Sequence, residues 1–298
     1  MPEISINRSN RPTETGISEA PGIAPGVERR SIPGPVVTEV PADRPATICA
    51  VDRLVLRFGG RGSPAILKGI SLDIADGEAV AILGSNGAGK STLLRCLPRL
   101  LEPNEGSVSL LGEQVMSLRP PALRRLRSRI GFVFQRHNLS TRLSVLSNVI
   151  HGAHGRVGAV RACHQALAPQ ALREEAMDCL AQVRLADLAG RRADQLSGGQ
   201  SQRVAIARAL MQRPEIMIAD EPVASLDPNA AEEVMDLFAR LMRDRGITLI
   251  FTSHHLKHAL AYGDRIVALK SGLVVEDKPT ARLREQDLDW IYDSNDRT

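Results

Sequence analysis

The chain has 298 residues, 43% of them hydrophobic and 24% charged, with a net charge of +4. It is long enough to bury a large core, and it is too mildly basic for its charge alone to demand a polyanionic partner. Four cysteines, Cys49, Cys96, Cys163 and Cys179, stand singly without a C-x-x-C pair, which argues against a zinc site or a disulfide frame and for buried thiols in a reducing compartment.

Residues 1–47, rich in Pro, Gly, Ser and Arg, read as a disordered tail. The folded part is expected over 48–279, with 280–298 as a C-terminal tail. It opens with TICAVDRLVLRF, which ends at Phe58 and alternates like a strand. ISLDI and AVAIL are further strands, and AVAIL runs straight into the glycine loop GSNGAGKST, with STLLRCLPRLL as the helix after it. SVSLLG and IGFVFQ are short strands. From Ser144 to Gln195 the chain reads as mostly helical, with a loose Gly/Ala/Arg insertion around 152–170. A helix follows LSGGQ with Val204, Ile206, Ala207 and Leu210 on one face. IMIAD and ITLIFTS are continuous apolar strands suited to a parallel sheet covered on both sides. Between them AAEEVMDLFARLM is amphipathic, with Val234, Leu237, Phe238 and Leu241 on one face. This order predicts an α/β fold: a parallel-sheet nucleotide core, a helical subdomain at about 136–200 and an N-terminal antiparallel β patch.

Gly84, Ser85, Asn86, Gly87, Ala88, Gly89, Lys90 and Ser91 match G-x-x-x-x-G-K-[ST] and are followed by Thr92. Glycines let the backbone wrap phosphate oxygens, the following helix adds its positive N-terminal end, Lys90 neutralises β/γ-phosphate charge, and the Ser91 hydroxyl can ligate Mg2+. In IMIADEP, Asp220 is placed to hold Mg2+ and Glu221 to orient and deprotonate water. Strand alternation predicts that Glu221 points away from Asp220. Gln135, at a strand end, can touch Mg2+ or the attacking water, although taken singly it reads as a surface glutamine. His254, immediately after ITLIFTS, can reach a γ-phosphate. His255 and His258 read as solvent-facing or helix-surface residues. His151 and His154 lack further metal ligands nearby. The basic run RRLRSR, Arg124 to Arg129, contains no aromatic residue in a chain that is 3% aromatic, so it reads as a solvated helix face and nucleic acid is not an expected partner.

Phe58, GSNGAGKST, Gln135, LSGGQ, IMIADEP, SLD (Ser225 to Asp227) and His254, in this order, closely resemble the ATP-binding-cassette ATPases across about residues 49–278. The resemblance implies the RecA-like P-loop fold of that family, Mg2+ and ATP as cofactor and substrate, and a homodimer packed head to tail. In such a dimer Leu196, Ser197, Gly198, Gly199 and Gln200 of one copy close over the ATP held by the other, which accounts for a second phosphate-cradling loop without a lysine. The same resemblance implies that Phe58 stacks on adenine and that Asp227 couples the two sites. It makes Glu221, His254, Gln135 and Lys90 the catalytic set and Ser91, Gln135 and Asp220 the metal set.

A narrower resemblance, carried by Asn138 to Arg156, Ala219 to Pro228 and Gly246 to Gly272, is to the phosphonate-importer group of that family. It implies a peripheral ATPase on the cytoplasmic face of the inner membrane, working with permease subunits and, through them, an extracytoplasmic binding protein. The absence of a long apolar run or a signal-peptide core agrees with that placement. The long N-terminal tail is no part of the pattern. Import of another ligand, export, and a non-transport accessory role stay open at this stage.

Overall fold

A computed structural model describes residues 46–59, 62–288 and 291. The tail expected over 1–47 lies outside them, apart from the last two residues, where the first strand begins. In chain order the elements are β1 (Thr47–Arg57), β2 (Ala65–Ala75), β3 (Ala79–Leu83), α1 (Lys90–Cys96), β4 (Glu105–Leu110), β5 (Glu113–Gln114), α2 (Pro120–Arg127) and β6 (Ile130–Val133). A helical stretch follows with α3 (Val145–Ile150), α4 (His154–Val157), α5 (Ala159–Ala162), α6 (Gln170–Gln182) and α7 (Gly198–Leu210). The chain then runs through β7 (Ile216–Ala219), α8 (Pro228–Arg245), β8 (Thr248–Thr252), α9 (Leu256–Tyr262), β9 (Arg265–Lys270) and β10 (Leu273–Pro279).

These strands form two sheets. One is antiparallel in the order β2-β1-β4-β5, and the other runs β10-β9-β3-β8-β7-β6. In the second, β9, β3, β8, β7 and β6 are parallel and only β10 is antiparallel. The apolar runs behave as a doubly covered sheet requires. Val80, Ile82, Ile216, Ile218, Ile250, Val267 and Leu269 face a core shared with β1, β2, β4 and α1. Their alternate neighbours Ala81, Leu83, Met217, Ala219, Leu249, Phe251, Ile266 and Ala268 face the core built with α3, α6, α7 and α8. The period of two along each strand splits one hydrophobic run between two cores. Each fully buried Leu, Ile or Phe removes surface worth about 1.5–3 kcal/mol from water, so Phe238 and Phe251, the largest fully buried side chains, anchor the second core.

Several elements differ from expectation for local reasons. The helix predicted to run to Leu101 ends at Cys96, because Pro98 has no N–H to donate and crowds the preceding turn. No strand is predicted after Ser253, yet β9 and β10 close the sheet through Ser271 and Gly272, at φ 51° and 82°. Positive φ at both central residues is what a two-residue hairpin turn needs. The segment after Pro279, set apart as a tail, contributes Leu288 and Ile291 to the core. The basic run is solvated only in part. Arg124 and Arg125 are exposed, but Arg127 donates to the Pro98 and Arg99 carbonyls and Arg129 pairs with Glu215. Three cysteines are buried, with burial pushing Cys49 and Cys96 up to about 12 and Cys179 up to about 11, whereas Cys163 is exposed.

Candidate functional site

The glycine loop lies between the C-terminal end of β3 and the first turn of α1, in the middle of the parallel sheet. Its shape requires glycine. Gly84 has φ +150°, and a Cβ there would sit 2.3 Å from the Leu269 carbonyl oxygen; Gly89 has φ +104° and abuts Leu67. The Lys90 ammonium curls back over the loop, donating to the Gly84 carbonyl at 2.8 Å and the Ser85 carbonyl at 3.3 Å, and is only 5% exposed. Burial pushes its pKa below the ordinary lysine value, with Glu221 and then Asp220 acting in the opposite direction.

The two carboxylates arrive from the end of β7. Asp220 is 1% exposed, and its Oδ1 accepts from Ser91 Oγ at 2.7 Å and from Thr252 Oγ1 at 3.1 Å. Glu221 does not point away as strand alternation predicts. The strand ends at Ala219, and Glu221 adopts φ +48°, a left-handed conformation that costs a non-glycine residue about 1–3 kcal/mol. This turn carries its carboxylate to the same loop, 3.8 Å from Lys90 Nζ, 3.3 Å from Gln135 Nε2 and 3.9 Å from His254 Nδ1. Lys90, Gln135 and His254 therefore converge on one carboxylate, while Ser91 engages the other.

Thr252, which the sequence reading passes over, holds both acidic residues. Its hydroxyl accepts the Glu221 N–H at 2.7 Å and donates to Asp220. It is fully buried at the C-terminal end of β8, directly after the apolar run 249–251, and a hydroxyl at that end of ITLIFTS was the available signal. Thr252→Val keeps the shape but leaves the Glu221 amide unpaired. The expected result is a loss of about 1–2 kcal/mol in urea unfolding; an unchanged midpoint would remove Thr252 from this role.

LSGGQ forms the start of α7. Ser197 is its N-cap in a capping box, accepting from Gln200 N–H while Gln200 Oε1 accepts from Ser197 N–H. Asp227 likewise caps α8 by accepting the Ala230 N–H at 3.0 Å. The two caps share an open pocket with Gly198, Gly199, Ser225 and Leu226. The N-terminal end of α7 and its hydroxyl thus face outward, a geometry suited to an anion presented from another molecule.

The model of the ABC transporter family matches residues 67–224. The chain belongs to this family. Among its curated relatives, "Phosphonates import ATP-binding protein PhnC 2" of Oceanobacillus iheyensis is 43% identical over 246 residues, 83% of this chain and 96% of that protein. "Phosphonates import ATP-binding protein PhnC" of Frankia casuarinae is 48% identical over 225 residues, 76% of this chain and 88% of that one. The dimeric post-hydrolysis structure of the ATP-binding cassette MJ0796, bound to ADP and Pi, matches with a TM-score of 0.68 at 34% identity, covering 78% of this chain and 98% of that one.

Elsewhere in this ABC cassette, Phe58 is 58% exposed at the end of β1, free to present a ring face. His254 and His255 lie with ring centroids 4.1 Å apart, and burial lowers the pKa of His255 and of His258. His151 and His154 stack on each other at 5.1 Å. The oxygens of Ser91 and Asp220, 2.7 Å apart, are hard donors of the kind that would suit a Mg2+ ion. Among the described residues no helix is long and apolar enough to cross a membrane.

Proposed function

We propose that this chain is the ATP-hydrolysing subunit of an ABC importer for a phosphonate or a related phosphorus oxoanion. Convergence of Lys90, Gln135 and His254 on Glu221 carries the hydrolytic part of the reading. The high identity to phosphonate-import subunits over most of the chain supports the ligand class.

In this reading Lys90 and the loop amides hold the β- and γ-phosphates, and Phe58 stacks on adenine. Glu221 takes a proton from water as its oxygen attacks the γ-phosphorus in line, Gln135 orients that water, and His254 stabilises charge on the transferring group. The bond from the γ-phosphorus to the bridging oxygen breaks, giving ADP and inorganic phosphate. Bound Mg2+, held by Ser91 and Asp220 with Gln135 nearby, neutralises phosphate charge. Ser197, Gly198 and Gly199 of a second copy complete the site from the other side, with Asp227 linking the two halves. ATP then glues the dimer, and its hydrolysis loosens it.

The permease partner docks in the groove of about 370 Å³ between core and helical stretch, lined by Pro98, Leu100, Phe132, Phe134, His151 and Arg208. Leu100 is 44% exposed there and the two phenylalanine rings stack at 4.2 Å. Arg208 also donates to the carbonyls of His137 and Asn138, just after Gln135, so pressure on the groove reaches the loop that carries Gln135. Swinging a permease from 1:99 to 99:1 takes about 5.5 kcal/mol of differential binding, a quantity that closure on two ATP molecules can supply. The cassette works at the cytoplasmic face of the inner membrane, and an extracytoplasmic binding protein selects the ligand.

Two measurements test this. A deletion strain is expected to grow on phosphate but fail on a phosphonate or on phosphite as sole phosphorus source; growth on all three excludes the ligand class. Ser197→Arg is expected to leave nucleotide binding by the isolated cassette intact and abolish the ATP-induced dimer on sizing, because the guanidinium fills the outward-facing cap. A dimer of normal stability would contradict the shared site.

A further inference from the structure

Asp220 is held by both of its oxygens, and the two grips come from successive turns of one helix. Ser91 and Arg95 are four residues apart on α1 and therefore lie on the same face. Ser91 Oγ donates to Oδ1 at 2.7 Å, and the Arg95 guanidinium lies 3.5 Å from Oδ2. Oδ1 also receives the Thr252 hydroxyl, so hydroxyls serve one oxygen and the Arg95 guanidinium serves the other. The two partners differ in environment: Asp220 is 1% exposed, while Arg95 is 46% exposed and can swing into water. Lys90 stands toward Glu221 as Arg95 stands toward Asp220, so each acidic side chain has its own cation.

We propose that Arg95 is a positioning residue, a resident counter-ion that holds Asp220 and competes with the divalent ion for it, so that this cassette binds metal more weakly than the same site without the guanidinium. The proposal rests on the reading of Asp220 as a metal-holding residue. Its physical basis is that a buried carboxylate facing a second carboxylate in the next residue needs a compensating charge. Arg95 supplies a mobile one, exposed enough to withdraw. Because the pair is half in water its effect is modest, about 2–5-fold in affinity, and it is screened by salt. Arg95 thus sets the concentration range over which the cassette responds to its metal, without itself touching nucleotide.

The test is Mn2+ binding to the full chain with ADP, followed by the loss of the free-ion electron paramagnetic resonance signal. Arg95→Gln is expected to tighten Mn2+ about 2–5-fold at low salt, Arg95→Lys to stay near the parent, and the difference to shrink in about 1 M KCl. A merely structural role predicts none of this salt dependence. An unchanged or weakened Mn2+ affinity in Arg95→Gln at low salt overturns the proposal while leaving the Asp220 site standing. Parent-like Mn2+ binding by Asp220→Asn would remove the metal-holding reading itself, and the proposal with it.

Discussion

Glu221→Gln is expected to leave ATP binding intact and to slow hydrolysis by about 10²–10⁴-fold, the range a positioned general base supplies. The substitution keeps the size of the side chain and its place at φ +48°, and Gln135 at 3.3 Å keeps a partner. What disappears is the ability to accept a proton from water. Removing a negative charge 3.8 Å from Lys90 also relieves repulsion toward the γ-phosphate. ATP should therefore bind at least as tightly and, uncleaved, hold together the proposed head-to-tail dimer. Sizing with ATP should show a persistent dimer that the parent forms only transiently, and single-turnover assays should show little phosphate release. A Glu221→Gln chain that turns over ATP at the parental rate would remove Glu221 as the base.

Lys90→Ala is expected to weaken ATP binding by about 10²-fold or more. In the proposed site the ammonium makes charge-assisted hydrogen bonds to phosphate oxygens worth about 1.5–3 kcal/mol each, and its loss also leaves the Gly84 and Ser85 carbonyls without the donor they have here. The measurement is the ATP-dependent rise in Tm, which scales with the logarithm of ligand over Kd. The parent should show a clear rise at millimolar ATP. The variant should show none, with a circular dichroism spectrum matching the parent's to establish that it is folded. A parental shift would mean the loop amides alone hold the phosphates.

These two residues differ in how much of their setting was legible in the sequence. Lys90 sits in a stretch whose function follows from neighbours a few positions away. Glycines that tolerate positive φ, a lysine and a hydroxyl at fixed offsets, a strand before and a helix after all lie within one short window. The caps formed by Ser197 and Asp227 are equally local in geometry, although only the family resemblance singled these two residues out. The continuous apolar runs IMIAD and ITLIFTS likewise pointed to a parallel sheet covered on both sides, because both faces of such a strand must be buried.

What the sequence by itself determined, then, was the local shape of the glycine loop and the faces of the strands and helices that go inward, since each depends on contacts between close neighbours in the chain. The tertiary structure alone decided where the side chains at the strand ends point. Glu221 turns back because its amide finds Thr252, 31 residues on, and Gln135 meets it from 86 residues away. Asp220 is gripped by Ser91 across 129 residues and by Arg95 across 125. No local pattern encodes such pairings. They exist because β3, β7 and β8 stack side by side in one sheet, and packing of that sheet between its two cores fixes which distant side chains share a carboxylate.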